Sequence, residues 1–175
     1  LTREAIIALL LSWLMMIAYI SYRFEFRFGV AGILSLVHDV LIVLGVFSIL
    51  RKEIDASFVA ALLTIVGYSI NDTIVIFDRI RENLKTMKKG ETLPEMVDRS
   101  IWQTMTRSIY TVLTVLFATG SLYFLGGETT KNFSLALLIG FVSGTYSSIF
   151  NASPIWVLWK QRDERKRLEH KMKPA

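Results

Sequence analysis

Five long stretches of this chain carry almost no charge, and their spacing decides what it can fold into. Residues 5–22, 28–50, 56–77, 108–127 and 132–159 are each long enough to cross a bilayer, which needs roughly 20 apolar residues per helix. The first and the last two carry no charge. The second holds only the pair His38–Asp39, and the third holds one charge at Asp72 before the Asp78 boundary. Backbone groups in lipid must be satisfied within their own segment or in a closed barrel. Alternating apolar and polar runs of about ten residues, the mark of a membrane barrel, do not occur. The expected fold is therefore an all-α membrane protein, a bundle of five transmembrane helices.

Composition narrows the chemistry. The 175 residues include no cysteine, which excludes disulfides, iron–sulfur clusters and cysteine-ligated zinc. Two histidines, His38 and His170, exclude a multi-histidine metal site. A net charge of +5 would suggest nucleic acid in a soluble protein, but here the position of the charge accounts for it. Of the 20 lysines and arginines, 16 lie in 23–27, in a loop at 78–107 and in a tail at 160–175. The positive-inside rule places these segments in the cytoplasm, with the N-terminus outside and the C-terminus inside. A five-span chain with an outside start is expected to follow an upstream segment, so the chain reads as the C-terminal part of a larger protein. Within 78–107, Ile80, Leu84, Leu93, Met96, Val97 and Ile101 have the spacing of an interfacial helix on the membrane surface. Lys88-Lys89-Gly90 is expected to break it, with Pro94 after the turn. The tail reads as a solvated helix end touching anionic lipid.

An ionisable group inside a span costs about 2.5–3.5 kcal/mol on insertion scales, so each is a functional candidate. Asp72 shares a helix face with Thr64 and Tyr68, at i, i+4, i+8, and Asn71, Ser69 and Thr73 flank it. That stripe is expected to face the bundle interior or water. A carboxylate there is inexpensive when protonated, or when ionised beside a cation or water, and a proton carrier switches between those states. The alternative is a hydrogen-bonded residue that holds two helices together. Arg107 shares a face with Thr104, Thr111 and Thr114 and is either the cation for Asp72 or an ordinary snorkelling residue. His38 and Asp39 point about 100° apart on a helix and either relay protons or bond neighbouring helices. Gly140, Ser143, Gly144, Ser147, Ser148 and Asn151 form a small-residue face, for close packing or for sliding. Pro154 is expected to loosen the last helix. No nucleophile, phosphate loop or dinucleotide fingerprint occurs, which argues against an enzyme acting on a soluble substrate.

These residues resemble a known family. Gly67-Tyr-Ser-Ile-Asn-Asp72-Thr-Ile-Val-Ile-Phe-Asp-Arg-Ile-Arg-Glu-Asn83 is similar to the signature segment on the SecF side of the SecD/SecF protein-export family. Leu36-Val-His38-Asp39-Val-Leu-Ile, Thr106–Thr114 and Gly140–Phe150 with Ser153-Pro154 resemble three further spans. The family has six spans, and this chain matches the second to sixth, without the first span and the extracytoplasmic domain. The resemblance implies half of a pseudo-symmetric SecD–SecF bundle in a bacterial or archaeal cytoplasmic membrane, within the resistance–nodulation–division superfamily. It implies export promoted by the proton-motive force, with a proton or sodium as coupling ion and no other cofactor. Asp72 and Arg107 would lie on the ion path, with His38, Asp39, Tyr68, Asn71 and Thr111 as secondary members. Implied partners are SecD, the Sec channel, the translocating polypeptide through the outer domain, and lipid, with no nucleic acid. The rival readings are a passive scaffold of the translocon and a small-molecule or lipid exporter of the same superfamily.

Overall fold

A computed structural model describes residues 2–23 and 25–172, apart from the side chains of Thr2, Arg23 and residues 167–172. Leu1, Phe24 and the end of the tail, 173–175, lie outside the described residues. Six α-helices run in order: α1 (Thr2–Arg23), α2 (Phe26–Ile49), α3 (Ala56–Lys85), α4 (Leu93–Leu125), α5 (Glu128–Ser147) and α6 (Ser153–Met172). A π-turn, Ser148–Ala152, joins α5 to α6, so the last two form one rod and the chain crosses five times. All five crossings are long and apolar enough to span a membrane.

The connections between the five crossings are short, so consecutive crossings run antiparallel. Most of the described basic residues gather at one end of the bundle, called the basic end here, which holds the α1–α2 and α3–α4 turns and α6. At the opposite end Asp55 caps α3, its carboxylate accepting from the Phe58 N–H at 2.8 Å and from Ser57 Oγ at 2.7 Å. These bonds hold the Asp55 carboxyl below the usual range. At the basic end Gly90 takes φ +86°, where an L side chain is strained. Pro94 falls in the first turn of α4, where its missing N–H costs nothing, and the Glu95 carboxylate accepts from the Thr92 N–H at 2.8 Å.

The segment 78–107 does not form the expected interfacial helix. α3 continues through Lys85, α4 starts at Leu93, and only 86–92 connect them. Ile80, Met96 and Val97 are buried, and Leu84, Leu93 and Ile101 pack against them. The same spacing that suits a lipid surface suits a helical hairpin, and here the two apolar faces cover each other. Asn83 fixes the pair, donating from Nδ2 to Ser100 Oγ at 2.8 Å and Gln103 Oε1 at 2.9 Å. A bidentate Arg99–Glu91 pair, at 2.8 and 3.0 Å, ties the connection to α4.

α5 is the central helix, packing on α2, α3 and α4, while α1 lies outside against α2. Two apolar clusters form the core. One, toward the basic end, holds Leu36, Ile76, Phe77, Ile80, Met96 and Trp156, with the Phe28 ring stacked on Trp156 at 4.6 Å. The other holds Val43, Phe47, Phe58, Ile65, Leu137 and Phe141. Close approach of α5 to α3 depends on Gly140. A Cβ there would sit 2.3 Å from Ile65 Cδ1. The π-turn immediately precedes Pro154, which lacks an N–H and whose ring crowds the preceding turn, so the backbone widens there. At the basic end Arg27 pairs with Asp163, and Lys160 lies 3.6 Å from Glu25, joining α2 to α6.

Candidate functional site

Two carboxylates stand inside the bundle, on different faces. Asp72 projects from α3 toward α4, where Ser108 Oγ donates to its Oδ1 at 2.6 Å. Its other oxygen, Oδ2, is buried and has no hydrogen-bond partner among the described residues. A buried oxygen of that kind is costly, by about 1–3 kcal/mol or more for a charged group. The carboxylate is therefore held at one point and unsatisfied at the other.

Arg107 lies near enough for its charge to act on Asp72, but it does not bond the carboxylate. It is exposed, and among the described residues no ion pair joins it to Asp72. Arg107 and Ser108 are neighbours and point about 100° apart on α4. The small hydroxyl takes the inward direction and the guanidinium the outward one. The rest of that face divides in the same way. Thr104 is buried, with its hydroxyl donating to Ile101 O at 3.0 Å, whereas Thr111 and Thr114 are exposed and donate to Arg107 O and Tyr110 O, both at 2.8 Å. Such back-bonding satisfies a hydroxyl within its own helix.

The stripe on α3 divides too. Thr64 is exposed and donates to Ala60 O at 2.8 Å. Tyr68 is half-buried, its ring 4.5 Å from that of Phe141. Asn71 is exposed in a groove between α1 and α3 that Ser12, Met16 and Tyr19 also line. Ser69 and Thr73, flankers of Asp72 in sequence, are the residues that enter the core.

They lead to the second carboxylate. Asp39, fully buried on α2, accepts from three serine hydroxyls: Ser69 Oγ on α3 at 2.7 Å, Ser147 Oγ on α5 at 2.8 Å and Ser143 Oγ on α5 at 2.9 Å. His38 Nδ1 lies 3.3 Å from Asp39 Oδ1, and the His38 ring is half-exposed. Adjacent residues thus diverge, one into the core and one to the surface, yet remain in contact. Thr73 and Ser148 continue the hydroxyl cluster at 2.9 Å from each other, and Ser148 also donates to Ser69 O at 3.3 Å. Gly144 makes room for the cluster, since a Cβ there would meet Ser69 Cβ at 3.0 Å and lie 3.6 Å from Asp39 Oδ2.

Gly140 and Gly144 are thus positions of close approach of α5 to α3, while Ser147 and Ser148 are donors as well as small residues. Sequence reasoning named Ser69 as a flanker of Asp72 and Ser143 as a small packing residue, gave neither a role as donor to a carboxylate, and did not single out Ser108. The available signal was a serine three or four residues from another polar residue on an apolar helix, which is also the pattern of plain small-residue packing.

Comparison with known proteins places this arrangement in a family. Residues 1–162 match the model of protein export membrane protein SecD/SecF, C-terminal. The chain is 60% identical over 167 residues to protein translocase subunit SecF of Alicyclobacillus acidocaldarius, covering 94% of this chain and 54% of that protein. It is 46% identical over 168 residues to protein translocase subunit SecDF of Bacillus subtilis, covering 95% of this chain and 23% of that one. A crystal structure of SecDF in its super-membrane-facing form superposes with a TM-score of 0.91 at 45% identity, over 97% of this chain and 23% of that chain. The chain spans about half the length of the SecF relative. With one fold, one signature segment and one continuous match in agreement, the chain belongs to the SecD/SecF family of protein-export membrane proteins and corresponds to the C-terminal membrane part on the SecF side.

Proposed function

We propose that this membrane part serves a Sec export subunit in which Asp72 binds the coupling ion, a proton or sodium, and converts the gradient into movement that promotes polypeptide translocation. The observation that carries the reading is the state of Asp72, which has one oxygen bonded across to α4 through Ser108 and the other buried without a partner. Binding an ion at the free oxygen removes or neutralises the charge and loosens the bond to Ser108, so α3 and α4 shift relative to each other. The magnitudes match. One elementary charge falling through 100 mV releases about 2.3 kcal/mol, and a hydrogen bond to a charged group is worth about 1.5–3 kcal/mol. One ion can therefore make or break one such contact.

The face bearing Arg107, Thr111 and Thr114 is open, and α4 also exposes Trp102, Tyr110 and Phe117 there or alongside. A SecD half, suggested by the relatives named SecDF, covers this face in the reading and completes the ion path. Arg107 then lies at that interface, with its charge also acting on Asp72 from within this half. The membrane is the cytoplasmic one with the basic end inside, the Sec channel and the emerging polypeptide are the working partners, and the chain carries no enzymatic chemistry of its own.

The test is Asp72→Asn in the full-length subunit with SecD, assayed for release of a secretory protein from vesicles with an imposed gradient. The amide keeps the bond to Ser108 but binds no proton. Export is expected to lose its gradient stimulation while assembly stays normal. A variant that exports like the parent under every gradient would make Asp72 a structural residue and the subunit a scaffold.

A further inference from the structure

The most deeply buried charge in the bundle is not Asp72. Asp39 is fully buried, between the two apolar clusters, and the reading above gives it no task. Three serine hydroxyls aim at its oxygens, and His38 Nδ1 lies 3.3 Å from Oδ1. Groups from α2, α3 and α5 thus converge on one carboxylate, so a change in its charge is felt on three helices at once.

The groups facing it are few. α3 presents Ser69, α5 presents Ser143 and Ser147, and the π-turn presents Ser148 through its bond to Ser69. Asp72, on α3, turns instead to α4. Among the described residues His38 is the one titratable group in contact with Asp39, and beside it the Tyr146 ring of α5 lies 6.4 Å from the imidazole. His38 also reaches the surface, lining an open groove of about 570 Å³ with Ile42, Leu138, Val142 and Tyr146. On the other side the hydroxyls continue toward the basic end. Beyond the Thr73–Ser148 contact, Ser35 lies one turn from Asp39 on α2, and Ser153 opens α6. Both hydroxyls are buried without a partner among the described residues. Buried unpaired hydroxyls are uncommon and call for an explanation.

We infer that Asp39 is a second proton-binding site, loaded through His38, and that the π-turn responds to its charge. In the loading step the imidazole, protonated at Nδ1, passes that proton to Asp39 Oδ1 and takes one from a hydronium ion at Nε2, releasing water. The histidine ends neutral and the carboxylate becomes the acid. The new O–H points back to Nδ1, and the uncharged carboxyl holds the three serine hydroxyls less strongly than the carboxylate did. Ser147 is the last residue of α5 before the π-turn, and Ser148 is the first within it. A π-turn sits between two registers of the same helix, and a change at its entrance is the kind of input that shifts it. This extends the reading of Asp72 as an ion site, because both carboxylates would draw on the same gradient, and its test is independent of that reading.

The experiment is infrared difference spectroscopy of the full-length subunit with SecD in lipid vesicles, titrated with acid, in the parent and in Asp39→Asn, Asp72→Asn and His38→Gln. A protonated-carboxyl band is expected to survive Asp72→Asn and to vanish in Asp39→Asn. In His38→Gln its final amplitude is expected to stay while its rise after an acid jump slows by about a hundredfold, the low end of what a positioned proton-transfer group contributes. If Asp39→Asn fails to assemble, Ser143→Ala and Ser147→Ala replace it, and each is expected to shift the frequency of that band. A titrating band that is lost with Asp72→Asn and unmoved by every change around Asp39 would overturn the inference and leave the cage as a structural hydrogen-bond knot. Whether Asp72→Asn retains gradient-stimulated export is read separately, so the two proposals fail independently.

Discussion

At the residue scale the contrast between Asp72 and Asp39 shows what a sequence can and cannot display. Both are visible as lone charges in apolar runs, because an insertion cost of several kcal/mol demands a reason. Which one is satisfied is not visible. Asp39 has three hydroxyl donors and Asp72 has one, and the difference lies in serines that look like packing residues until the helices are rotated into place. Arg107 shows a related limit. Charge complementarity suggests that it meets Asp72, but its neighbour Ser108 faces inward and takes the bond. Ser108→Ala removes the sole side-chain donor to Asp72 found among the described residues. Gradient-stimulated export is expected to fall about tenfold, corresponding to roughly 1.4 kcal/mol for one charge-assisted bond, and Ser108→Thr is expected to restore most of it. An unchanged export rate with normal assembly would remove Ser108 from the site.

At the scale of elements the five spans could be read directly, because charge-free runs of this length have few other fates. Their ends could not. α3 and α4 run on past the apolar runs into the hairpin at 78–107, because Ile80, Met96 and Val97 bury one another rather than lying on lipid. A hydrophobic period defines a face but not what covers it. The small-residue face of α5 was legible as a close-contact surface, and Gly140 shows its strictest point. Gly140→Val places a branched side chain where Ile65 already stands. It is expected to destabilise the bundle by about 1–3 kcal/mol. The check is the thermal midpoint in detergent, with Ile65→Ala added in the same chain to recover part of the loss. Equal midpoints for the parent and Gly140→Val would mean that α5 does not rest on α3 through this position.

At the scale of the whole molecule the bundle is well closed on one side and open on another. α1 buries one side against α2 and exposes the other, the outer face of α4 is exposed too, and both are apolar enough to meet lipid or a second bundle. Family membership agrees with an open half, since the SecDF relatives and the superposed SecDF chain are about four times longer than the matched part. The account stands on Asp72 as the ion site within that assembly. The most direct measurement is ion entry into vesicles holding the full-length subunit and SecD, followed by an internal pH dye and by a sodium indicator under an imposed gradient. The account predicts gradient-driven entry of one of the two ions that is lost in Asp72→Asn. Entry at the parental rate in Asp72→Asn would contradict it.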